Sequence, residues 1–148
     1  MVSVNYPDPD FRIKKQDGKD CLFDPLRKKW ILLTPEEWVR QNFVQYLIRV
    51  KKYPETMIGI EKQILLGEMK KRFDILIYDK THQPWMMIEC KEMNVPLDET
   101  VLDQLLRYNI SIPVQYLVIT NGKQCLAWRR SHSELVSLSE LPSYSECS

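Results

Sequence analysis

Two β-forming runs, close together in the chain, constrain its fold most. Arg72 to Tyr78 reads RFDILIY, and Trp85 to Cys90 reads WMMIEC. Branched and aromatic side chains suit a pleated, half-buried surface, and the Asp79 to Pro84 segment between the runs has turn composition. The pair predicts neighbouring antiparallel strands. Charges are set into both: Asp74 early in the first, Glu89 at the end of the second, Lys91 just beyond. Residues i and i+2 of a strand share a face, so Glu89 and Lys91 project together while Cys90 points the other way. Adjacent strands would let Asp74 approach Glu89.

The flanking segments fill in the order. Thr34-Pro35-Glu36-Glu37 is a helix start: Thr34 can cap, Pro35 suits the first position, and Glu37 stands where a capping box needs it. Val39, Phe43, Tyr46, Leu47 and Val50 then make one apolar helical face, and Pro54 marks the stop. Met57 to Leu66 predicts a strand, with Gly67 turning the chain. A second helix is expected over about 98–110, with Val101, Leu102, Leu105, Leu106 and Tyr108 apolar and Pro113 ending it. Val114 to Thr120 is a strand, Asn121-Gly122 a hairpin turn and Gln124 to Trp128 the returning strand. Lys29 to Leu33 predicts a short strand, and Leu135 to Leu141 a short terminal element. Residues 1–19, with Pro7, Pro9 and Gly18 among charges, read as an N-terminal arm ahead of a domain over 20–148. The expected fold class is α/β in one domain: a central mixed sheet flanked by helices.

Composition narrows the function classes. The chain has 148 residues with 44% apolar and 28% charged, which suits one globular domain. No run of about 18 apolar residues is present, so no membrane span is expected, and Met1 to Asp10 lacks the pattern of a secretion signal. The cysteines at 21, 90, 125 and 147 form no C-x-x-C pair and have only His82 and His132 for company, which argues against zinc and for reduced thiols in the cytoplasm. A net charge of +1 does not by itself indicate nucleic acid. Short basic clusters, among them Lys14-Lys15, Arg27-Lys28-Lys29, Lys70-Lys71-Arg72 and Arg129-Arg130, matter only if the fold gathers them on one face.

Asp74, Glu89 and Lys91 suit one chemistry. Phosphodiester hydrolysis uses a divalent ion to polarise the phosphate and acidify a water. Magnesium takes hard oxygens, and one or two carboxylates plus waters suffice. Asp74, Glu89 and the backbone carbonyl of Cys90 could supply them, and Lys91 could stabilise transition-state charge. On spacing alone, acids and bases at strand ends equally describe a surface ion pair.

The ordered set R-F-D, I-E-C-K and then Q-x-x-x-Y resembles the PD-(D/E)XK nuclease superfamily. More narrowly, it resembles the N-terminal nuclease domain of the restriction subunit of type I restriction enzymes. The likeness runs from Thr34 to about Trp128. It implies a restriction-endonuclease-like fold. It implies metal binding by Asp74 and Glu89, a catalytic Lys91, and supporting roles for Gln104 and Tyr108, which sit four apart on the second helix. An acidic residue on the first helix often joins such sites; Glu37 is the first choice and Glu36 the second, with capping as the competing role for Glu37. Glu61 is a weaker candidate. Phe73 stands where the superfamily often has proline. Gly122-Lys123 lacks the other residues of a P-loop, so no ATP site is expected.

The expectation is a Mg²⁺-dependent deoxyribonuclease, with Mn²⁺ as a substitute. Arg72, Arg129 and Arg130 are candidate DNA contacts, and Trp128-Arg129-Arg130 is the one aromatic-basic cluster of note. Partners implied are DNA, a separate motor or specificity protein, and a second copy for cutting both strands. The alternatives are a non-catalytic nucleic-acid-binding or accessory module that keeps the fold, and an interaction domain that binds no DNA.

Overall fold

Thr34 caps the first helix, α1 (Pro35–Arg49), by accepting from the Glu37 N–H at 3.1 Å, with Pro35 at the position where a missing N–H costs nothing. The computed structural model describes residues 1–109 and 113–146, apart from the side chains of Leu66, Met69, Tyr108 and Glu146. Three strands precede α1: β1 (Ile13–Gln16), β2 (Lys19–Asp24) and β3 (Lys29–Leu32), paired antiparallel in that order as a small sheet. A second sheet follows α1, with β4 (Ile58–Leu66), β5 (Met69–Tyr78), β6 (Pro84–Cys90), β7 (Tyr116–Thr120), β8 (Cys125–Ser131) and β9 (Glu134–Leu138) side by side in chain order. The second helix, α2 (Glu99–Asn109), lies in the β6–β7 connection, and these two strands are parallel. The rest of the sheet is antiparallel, so it is mixed as expected.

Alternation along the strands divides the core into two. Ile75 and Ile77 of β5, Met86, Ile88 and Cys90 of β6, and Tyr116 and Val118 of β7 pack with Val39, Phe43, Tyr46 and Leu47 of α1. The residues between them, Leu76, Met87 and Leu117, pack instead with Phe73 and Val114, with Leu106 of α2 against them. Each side of a strand buries its own set, so the helices cover opposite faces. The layers run helix, sheet, helix in a single domain, and the α/β expectation holds. Among the described residues no helix is long and apolar enough to cross a membrane.

Residues 1–19 depart from the arm expected on composition. They are not free: Val2 is buried in the α1-side core, its N–H donates to the Cys125 carbonyl at 2.8 Å, and β1 and the start of β2 lie within the segment. The hairpin carries no sequence signal because IKKQ is exposed at every position and shows no apolar alternation. The terminal element expected over 135–141 is an edge strand over 134–138.

Candidate active site

Asp74 sits at a break in the β4–β5 ladder. Ile60 pairs with Ile75 and Lys62 with Phe73, but Glu61 and Asp74 between them are not paired, and Glu61 takes a φ of 52°. A left-handed non-glycine residue costs of order 1–3 kcal/mol and persists only where its surroundings hold it. Here Arg27 and Arg72 hold the Glu61 carboxylate, at 3.2 and 2.9 Å. Both oxygens of Asp74 are engaged. Oδ2 accepts from the Cys90 backbone N–H at 2.8 Å, fastening β5 to the end of β6, and Oδ1 accepts from the Arg40 guanidinium of α1 at 2.8 Å.

Glu89 lies against Asp74. Burial pushes its carboxyl up to about 8, and the Asp74 charge and a hydrogen bond with Asp74 push the same way, against the pull of Lys91. Its Oε1 is buried and has no hydrogen-bond partner. Lys91 follows one pleat later and is fixed by its N–H, which donates to the Thr120 carbonyl at 2.8 Å and extends the β6–β7 pairing. The triad expected from spacing is thus brought together by the β5–β6 register.

The first helix contributes differently from the first choice made on sequence. Glu37 is buried, and its carboxylate takes Arg27 at 3.0 Å, Arg40 at 2.6 Å and Gln41 at 3.2 Å. It holds two arginines and is not placed as a metal ligand. Glu36, the second choice, is the acid near the triad: its carboxyl is pushed up by burial and by Asp74, against Arg40 and Lys91. Arg40 has no counterpart among the residues expected from sequence. Mid-helix arginines usually face water, yet this one is buried between Glu37 and Asp74.

Other expected residues fall elsewhere. Gln104 is exposed on α2, and among the described residues no hydrogen bond joins it to Asp74, Glu89 or Lys91. The Tyr108 side chain lies outside the described residues. Arg72 is 61% exposed and pairs with Glu61 near the site. Arg129 pairs with Tyr116 and, through it, with Met86, at the opposite end of the strands from Glu89. The separation is roughly 10 Å along the strands and two inter-strand spacings across. Arg129 lines a cleft there with Lys51 and Glu140, and the neighbouring Arg130 donates to the Val114 carbonyl at 3.1 Å.

The charges do not balance by themselves. Asp24, Glu36, Glu37, Glu61, Asp74 and Glu89 give six acids to four cations, Arg27, Arg40, Arg72 and Lys91, a surplus of two when all are ionised. Among the described residues no three acidic, His or Cys side chains are grouped closely enough to hold a metal alone. Asp74 and Glu89 form an all-oxygen pair with one free buried acceptor, which is the donor chemistry of a hard divalent cation that keeps several waters.

Residues 35–142 match the family described as Type I restriction enzyme R protein N terminus (HSDR_N). The chain belongs to this family. The match takes in α1, the six-stranded sheet and α2, and leaves out the β1–β3 sheet. No curated protein matches the chain significantly. Among solved structures, one from Anabaena variabilis, titled "a putative nuclease belonging to DUF820", is 12% identical with a TM-score of 0.50. The match covers 90% of this chain and 87% of that one, and the likeness is one of fold. A fragment of "a putative HsdR subunit of a type I restriction enzyme" from Vibrio vulnificus is 22% identical with a TM-score of 0.43. That match takes in 61% of this chain and only 19% of the fragment.

Proposed function

We propose that this chain hydrolyses phosphodiester bonds in DNA with Mg²⁺, or Mn²⁺ in its place. The observation that carries the reading is the buried, unpartnered Oε1 of Glu89 beside Asp74, with Lys91 one pleat away. Asp74, Glu89 and the Cys90 carbonyl would hold the cation. When bound, it would polarise the phosphate and lower the pKa of a water. The Lys91 ammonium stabilises charge that builds on the phosphate oxygens. Glu36 adds negative charge at the mouth of the site. Arg72 and Gln104, both exposed, would serve as positioning contacts to a duplex. Arg129 and Arg130, at the far end of the sheet, receive no role. A second copy or a separate motor or specificity protein would complete double-strand cutting, since one such site cuts one strand.

The test is cutting of plasmid and linear DNA with Mg²⁺ or Mn²⁺ by the wild type, Asp74→Ala and Lys91→Ala. Metal-dependent cutting that disappears in both variants supports the reading. Absence of cutting by folded wild type on every substrate favours a non-catalytic accessory module. One observation favours that second reading: Arg40 already neutralises Asp74 at 2.8 Å, where a cation would have to compete with it.

A further inference from the structure

The register of the β1–β3 sheet sorts its charges by face. Ile13, Leu22 and Ile31 stand opposite one another on one face, with Lys15 beside Asp20 and Asp24 beside Lys29. Leu22 and Asp24 of this face are buried. Alternation therefore puts Arg12, Lys14, Gln16, Lys19, Cys21, Phe23, Trp30 and Leu32 on the other face. Both acids of the strands fall on the inner face, and none is left on the outer one. The contacts agree with this sorting. The Arg12 guanidinium lies 4.9 Å from the centre of the Phe23 ring and 5.4 Å from that of Trp30, and the Lys14 ammonium lies 4.2 Å from Trp30. Phe23 and Trp30 meet edge to face at 5.4 Å. Arg12, Lys14 and Lys19 are exposed, and the rings are half-buried.

We propose that this outer face binds single-stranded DNA, its cations taking phosphates and Trp30 and Phe23 taking bases. Charge complementarity argues for a polyanion. The interleaved aromatics argue for one whose bases are free to stack, which a closed duplex does not offer. The choice of DNA over RNA rests on the nuclease reading above. The sheet is also fastened to the site: Arg27, in the β2–β3 turn, bonds Asp24, Glu37 and Glu61, and Arg40 continues from Glu37 to Asp74. A strand lying on this face is therefore held in fixed relation to Asp74. The family match begins at residue 35, beyond this sheet.

The experiment is anisotropy of a labelled oligothymidylate with the full chain in EDTA, where cutting cannot interfere. The wild type should bind. Arg12→Gln with Lys14→Gln should weaken binding at least about tenfold. It should also flatten the salt dependence of log K by about 1.4, because two phosphates are no longer neutralised. Trp30→Leu should weaken binding with the slope unchanged. Unchanged melting temperatures would confirm that these exposed-face variants fold. Binding that is absent in the wild type, or equal in the double variant, overturns the proposal. Equal weakening toward a duplex of the same length overturns the single-strand assignment, and tighter binding of oligouridylate overturns the choice of DNA. Failure of the nuclease reading shows up separately. Binding of the oligomer is read in EDTA, so it stands or falls independently of whether the wild type cuts plasmid with Mg²⁺.

Discussion

At the scale of single residues, Glu89 is held in a place that resists its charge. Burial and Asp74 raise its carboxyl to about 8, and one oxygen has no partner. Glu89→Gln should therefore raise the melting temperature in metal-free buffer, and should abolish the rise with Mn²⁺ that the proposed function expects of the wild type, both read by calorimetry. Arg40 carries the opposite prediction. It is buried against Glu37 and Asp74, and Arg40→Gln leaves Asp74 without its cation and Glu37 with Arg27 alone, costing about 3–5 kcal/mol in denaturant unfolding. Asp24 sets a dependence on acid. Burial alone would raise its carboxyl, but the Arg27 backbone N–H, the Arg27 guanidinium and the Gln41 amide outweigh it, and the net shift is downward. A depressed carboxylate stabilises the fold above its unfolded value and loses that contribution as pH falls through the folded one. Acid unfolding should therefore steepen below the ordinary carboxylate range, and Asp24→Asn should flatten that limb while lowering stability at neutral pH.

At the scale of elements, the helix start and the paired strands carry clear local signals. Thr34-Pro35-x-Glu37 announces α1, and Thr34→Ala should cost about 1 kcal/mol by removing the cap. The triad is legible in sequence because i, i+2 spacing at a strand end is geometric. The choice between Glu36 and Glu37 is not, since both occupy the first turn and only tertiary packing brings Arg27 to Glu37. Arg40 and the β1–β2 hairpin are hidden for related reasons: their roles come from long-range neighbours, and neither shows an apolar period. The Asn121-Gly122 turn is legible, with a cost that the sequence does not show. Gly122 has a φ of 89°, and an added Cβ would stand 3.3 Å from both Met93 and Val39. Gly67 also has a positive φ, but with nothing near. Gly122→Ala should therefore destabilise the fold more than Gly67→Ala, by about 1 kcal/mol or more beyond the shared backbone strain, in parallel denaturant titrations.

At the scale of the whole molecule, the basic residues are not gathered into one stripe. The Arg129–Arg130 end of the sheet and the Asp74 end are separated by more than a screening length of about 8 Å at physiological salt. Arg129→Ala should leave both cutting and oligonucleotide binding essentially at wild-type levels, which assays on one preparation can compare. The mixed sheet and its two helical layers follow from the order of elements, and that order is readable in the chain. What the order does not show is that the first strands make a sheet of their own, joined to the rest by ion pairs around Arg27.

The parallel pairing of β6 with β7 has a consequence in time. The hairpins β4–β5, β5–β6, β7–β8 and β8–β9 join neighbours in the chain, whereas β6 meets β7 only after the excursion through α2. Contacts across long loops form slowly, because the chain's entropy is spent before they repay it. Lys91 is anchored through Thr120, on the far side of that closure. Asp74 and Glu89 can meet in an early hairpin, but Lys91 is set in place last. During refolding, the DNA cutting proposed for this site should therefore return with the slowest kinetic phase, after most of the secondary structure has already formed.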